Sequence, residues 1–100
     1  MSGLEPAEIA ALAVGRYQRR VISFPYFVME LEQAVSASEG RNDAEVRELR
    51  RVWGQLEIIN ALALDEGLVV PQGDEEVDEL ITRFLSCVRD DEGRRDEGYV

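Results

Sequence analysis

The stretch "NDAEVRELRRVWGQLEIINALALDEG", residues 42–67, decides the fold. Asn42 stands three residues before Glu45, the spacing of a capping box with Asn in place of the usual Ser or Thr. Val46, Leu49, Trp53 and Leu56 then step by three and four, and Val52, Ile59, Leu62 and Ala63 widen the stripe. That period predicts a helix over about 43–65. A stripe this wide means the helix is covered by more than one neighbour. Gly67 is placed to end it in the left-handed conformation that glycine adopts without penalty. One long helix needing several neighbours calls for a bundle.

The flanking sequence supplies the neighbours. Residues 5–21 open with Glu5-Pro6, proline being tolerated in a first helical turn. Ile9, Leu12, Ala13, Tyr17 and Val21 follow at helical spacing. Pro25 breaks that pattern, and Ser23 can cap a second helix to about residue 38 with a stripe of Phe24, Val28, Leu31 and Val35. "LVVPQG" is an extended connection whose Leu68, Val69 and Val70 are expected to fold back on the bundle. Asp74 caps a fourth helix to about residue 89, striped by Val77, Leu80, Ile81, Phe84, Leu85 and Val88. Residues 90–100 lack apolar periodicity and read as an acidic, flexible tail. The expected architecture is all-α: one small antiparallel four-helix bundle over residues 1–89.

Composition narrows the chemistry. One hundred residues, 45% apolar and 32% charged, suffice for one domain with a modest core. The chain has no histidine, which removes the commonest general base and the commonest zinc ligand. Its single cysteine, Cys87, forms no internal disulfide, a usage that suits a reducing cytoplasm. Cys87 lies three residues after Phe84, at the edge of the apolar stripe, and reads as a small core residue. The short apolar stretch near the start has acids before it and bases after it, the reverse of a secretory signal. The expectation is a cytoplasmic protein that is not an enzyme and carries no cofactor or metal. A calcium loop counted from Asp65 fails, because its third, fifth and sixth positions are Gly67, Val69 and Val70.

The charge is unevenly placed. The chain has 21 acids and 11 bases, a net charge of −10. The window from Val52 to Thr82 holds eight acids and no base, so it carries −8 of that total. Unaided binding to nucleic acid or to an anionic membrane is therefore not expected. Arginines group at Arg16/Arg19/Arg20 and Arg47/Arg50/Arg51; they read either as phosphate contacts or as intramolecular partners, such as Asp43 with Arg47 and Glu48 with Arg51. Capping explains Asp74, Glu75 and Glu76, because acids suit the positive end of a helix dipole. It does not explain Asp65 and Glu66, which sit where the dipole is negative. Two readings follow: a solvated surface that aids solubility, or a surface for a basic partner.

Three motifs in order resemble the colicin D-type immunity proteins, a family also described as bacterial self-protective colicin-like immunity. The first is "YQRRVISFPYFVMELEQ" (17–33), with Ile22, Ser23 and Phe27 in register. The second is "LRRVWGQLEIINALALDEG" (49–67), with Trp53, Asn60, Asp65 and Glu66. The third is "GDEEVDELITRFL" (73–85), acids opening an amphipathic last helix. The resemblance implies an immunity protein that inhibits a cognate basic nuclease toxin, one that cleaves tRNA, by laying acidic side chains over its active site. It implies a contact surface of Glu57, Asn60, Asp65, Glu66, Asp74, Glu75 and Glu76, with Trp53 in the core beneath. The alternative is an acidic helical adaptor for some other basic protein.

Overall fold

A computed structural model describes residues 5–38 and 43–97, with side chains over 5–38 and 44–88. Four helices follow one another: α1 (Pro6–Gln18), α2 (Phe24–Ala37), α3 (Asp43–Glu66) and α4 (Glu75–Glu97). Each packs on the next, and α4 packs back on α1, while among the described residues the diagonal pairs α1/α3 and α2/α4 bring no Cα atoms within 8 Å of each other. Short connections reverse the chain each time, so the four helices close an up-and-down ring around one core. One pole of that ring gathers the end of α1, the start of α2, the end of α3 and the start of α4.

Local chemistry sets the helix ends. The Glu5 backbone N–H donates to Glu8 Oε1 at 3.1 Å, and Pro6 takes the first turn of α1. Ser23 caps α2 as its spacing predicts, its Oγ accepting from Tyr26 N at 3.4 Å. Asp74 caps α4 through Oδ1, which accepts from Val77 N at 3.1 Å. Such a cap is typically worth about 1 kcal/mol. Gly67 ends α3 with φ 71°, Gly67 N bonding Leu64 O and Leu68 N bonding Ala63 O, the paired bonds of a Schellman turn. Asn42, the expected cap of α3, lies outside the described residues.

α1 ends by the same device with an unexpected residue. Arg20 N bonds Tyr17 O and Val21 N bonds Arg16 O, which places Arg20 where glycine is usual, at φ 63°. The helix thus stops at Gln18, short of the expected Val21. Val21 is swung out of the stripe and is 65% exposed. Leu12 is half-exposed as well; the face of α1 turned inward is Pro6, Ala10, Ala13, Val14 and Tyr17. Residues 9–14 are all apolar, so several faces fit the period. The bundle takes the one with two alanines, which lets α1 approach its neighbours closely.

The core is centred on Phe27, Leu31, Val52, Leu56, Val77 and Phe84, all essentially without exposure. The stripes read for α2 and α4 are both buried, with Leu85 and Cys87 partly so. Trp53 is half-buried, its indole N–H donating to Val28 O at 3.0 Å and fastening α3 to α2. Leu62, expected in the stripe of α3, is 57% exposed. Of the connection, only Val70 packs on the core; Leu68 and Val69 project into solvent. α4 continues as helix to Glu97, past the boundary at residue 89 where apolar periodicity stops. Asp90 and Asp91 precede Arg94 and Arg95 by four residues in the sequence, an order that favours helix without burial. The expectation of a flexible tail falls, for residues 98–100, outside the described residues.

Arg20 generates a prediction. Holding a side chain in the left-handed region costs about 1–2 kcal/mol. Arg20→Gly is expected to raise unfolding stability by about 1 kcal/mol, after the glycine's added unfolded-state entropy, as read from urea midpoints at unchanged slope.

Candidate functional site

The pole where α1 ends and α4 begins carries the acids, and its geometry begins with Tyr17. The Tyr17 ring stacks on Phe27 with centroids 4.6 Å apart and leans on Phe24 at 5.7 Å. Its carbonyl accepts two bonds, from Arg20 N at 3.0 Å and from Gln72 Nε2 at 2.8 Å. The second reaches across 55 residues of sequence and fastens the α3–α4 connection to the α1–α2 turn. Within the connection, Asp74 N bonds Pro71 O across Gly73, whose φ of 80° suits a tight turn.

Between the fastened segments lies a cleft of about 540 Å³. The α1–α2 turn forms one wall with Arg20, Val21, Ile22 and Pro25; the end of α3 and the connection form the other with Asn60, Leu64, Leu68 and Val69. Its lining is mainly apolar with a few polar groups, the usual make-up of a recognition site. Arg20 is the only charged residue in the lining. The sequence reading did not find this cleft, since its walls come from segments some 40 residues apart.

The expected contact residues fall into four places. Asn60 lines the cleft. Asp65 and Glu66 occupy the last turn of α3, between the cleft residues Leu64 and Leu68. Asp74, Glu75 and Glu76 stand at the cap and first turn of α4, at the same pole. Glu57 sits nine residues before Glu66 on α3, about 13 Å down the helix, so it belongs to the flank of the bundle. The side chains of Glu57, Asp65, Glu66, Glu75 and Glu76 are exposed and make no hydrogen bond or ion pair within the described residues. Among the described residues, no three His, Cys, Asp or Glu side chains converge to hold a metal ion.

The pole also carries the first arginine group, from the end of α1. Arg16 is engaged by Glu30 of α2, Nη2 to Oε1 at 3.0 Å, a pairing between helices that spacing along one helix could not suggest. The second group lies toward the start of α3. There Arg51 grips Glu48 through Nε and Nη2 at 3.0 and 2.8 Å, the pair expected from their spacing. That grip holds the Glu48 carboxyl below its usual range. The Asp43 side chain, the other expected partner, lies outside the described residues.

Burial displaces the proton affinity of Tyr17. Its hydroxyl is buried without a hydrogen-bond partner, and burial first, then the charges of Asp78 and Asp74, raise its pKa above the ordinary 10.0. The folded protein therefore holds this proton more tightly than the unfolded chain. That contribution to stability is intact below pH 10 and is lost as pH rises beyond it.

Comparison with protein-family models, with curated proteins and with solved structures finds no match to this chain. Among the described residues, no helix is long and apolar enough to cross a membrane.

Two predictions arise from this site. Tyr17→Phe, which removes an unpaired buried hydroxyl, should match or slightly exceed the parent in stability at pH 7. Its stability should also fall less steeply above pH 10, as followed by urea titration at stepped pH. Asp65→Ala with Glu66→Ala, relieving acids at the negative end of α3, should keep the helical circular dichroism and gain up to about 1 kcal/mol at low salt.

Proposed function

We propose that this protein is a binding inhibitor: it occupies the basic active site of a nuclease toxin and acts without chemistry of its own. One observation carries the reading. Unpaired acids at the last turn of α3 and the first turn of α4 stand beside an apolar cleft at a single pole of the bundle. An apolar centre with a charged surround is the anatomy of a protein–protein contact. A nuclease that handles tRNA is basic around its catalytic groups, because it must neutralise phosphates. Carboxylates on rigid helix ends can stand in place of those phosphates and exclude the substrate. Each of the three motifs that resemble the colicin D-type immunity proteins, at 17–33, 49–67 and 73–85, has one end at this pole and runs from there along a helix.

The apolar lining of the cleft favours a second reading, an adaptor that captures some other protein mainly through apolar contact. Salt separates the two. Complexes steered by charge associate more slowly as ionic strength rises, whereas apolar docking scarcely changes.

The test is tRNA cleavage by the nuclease domain encoded beside this gene, with and without a stoichiometric amount of this protein. Full protection at equimolar ratio is expected, and the variant with both Asp65→Ala and Glu66→Ala should lose at least about tenfold in affinity. Association should slow several-fold between about 50 and 300 mM salt. Cleavage that continues unchanged beside the folded protein would remove the inhibitor reading.

A further inference from the structure

The cleft differs from the surface around it in three ways. Val69 is 89% exposed, the extreme among the large apolar residues, and Val21, Leu64 and Leu68 beside it are each at least 60% exposed. Exposed apolar groups gathered in one concavity mark interaction sites more often than singly scattered ones. The segment that presents Val69 is also fastened on both sides. The Schellman turn at Gly67 sets its start, and Val70 packed against the core with Gln72 on the Tyr17 carbonyl sets its end. A fastened segment loses little conformational freedom on binding, so its apolar contacts translate into affinity. Finally, the unpaired acids Asp65 and Glu66 sit between two lining residues, Leu64 and Leu68, and Asp74 follows Gln72 by two.

We propose that the cleft receives a single large apolar side chain, aromatic or branched aliphatic, that projects from a basic surface of the partner. The acids beside the cleft would meet the bases that flank this anchor. Charge complementarity chooses the occupant: at this pole the five acids Asp65, Glu66, Asp74, Glu75 and Glu76 outnumber Arg19 and Arg20, so the net field favours a basic partner over a small amphiphilic anion, and a second copy of this chain would bring its own acids against them. An apolar anchor on a peptide backbone also brings carbonyl oxygens, which Arg20, Ser23 and Asn60 at the lining can meet as donors. The inference deepens the inhibitor reading and takes from it the basic character of the partner. It assigns the energetic centre of the contact to Leu64, Leu68 and Val69 rather than to the acids. Anchors seated in a central pocket commonly dominate binding, while the charges around them set association rate and register.

The test needs no nuclease. The probe is a pentapeptide amide with one tryptophan between two pairs of arginines. It is compared by amide chemical-shift titration with the same peptide carrying alanine for tryptophan, and with one carrying glutamates for the arginines. The tryptophan–arginine peptide is expected to bind about tenfold more tightly than either comparison peptide, with the largest shifts at Leu64, Leu68 and Val69. Leu64→Ser with Val69→Ser, both at exposed positions, should erase that advantage. Ile58→Ser, an equally exposed apolar site outside the cleft, should leave it intact. Equal binding of the tryptophan and alanine peptides, shifts centred elsewhere, or no binding of any peptide would each overturn the anchor site. Peptide binding at the cleft without protection of tRNA from the nuclease would retain the anchor site and remove the toxin as its partner.

Discussion

The pole of this bundle depends on Tyr17. Its ring stacks on Phe27 and leans on Phe24, which fixes the angle at which α2 leaves the α1–α2 turn. Its carbonyl accepts one bond from the turn itself and one from Gln72, which brings the α3–α4 connection to the same point. One residue thereby ties the end of α1 and the start of α2 to a connection 55 residues away in sequence. The hydroxyl stays buried and unpartnered. The ring is the stabilising part of the side chain, since each aromatic contact adds about 0.5–1.5 kcal/mol beyond its burial, and the hydroxyl is a cost carried with it.

The pole also collects features that stability alone would not select. Asp65 and Glu66 face the wrong end of a helix dipole, Arg20 occupies a conformation suited to glycine, and Leu68 and Val69 leave apolar surface in water. Each penalty is small. The acids are exposed, so water screens their repulsion. The left-handed arginine costs on the order of 1–2 kcal/mol. Concentrated at one pole, and absent from the interior packing of α2 and α4, these departures from local consistency are the usual mark of a surface shaped for recognition.

How far the sequence exposes this arrangement depends on the kind of interaction. The stripes of α2 and α4, the caps at Ser23 and Asp74 and the glycine turn at Gly67 are local, with periods or residue types that declare them, and all are present in the structure. On α1 the expected Ile9, Ala13 and Tyr17 do meet the core, but Leu12 and Val21 do not, because six consecutive apolar residues carry no single period and tertiary fit adds Ala10 and Val14 instead. The left-handed Arg20 has no sequence signal, since the residue expected there is glycine. Leu68 and Val69 looked like buried residues because hydrophobicity reports what water disfavours, not what the fold manages to cover. The acids were legible as a window, and the unpaired state of five of the seven expected contacts fits that reading. The cleft beside them was not, because no local pattern encodes a space whose walls lie on two distant segments.

The ring closes when α4 lies against α1, and both the start of α1 and the end of α4 lie away from the cleft. Polypeptide joined before α1 therefore starts about 20 Å from the cleft end, and polypeptide joined after α4 about 34 Å from it, at 1.5 Å per residue. The bundle can be appended at either side of a larger chain, or tethered to a surface, with its cleft still facing outward.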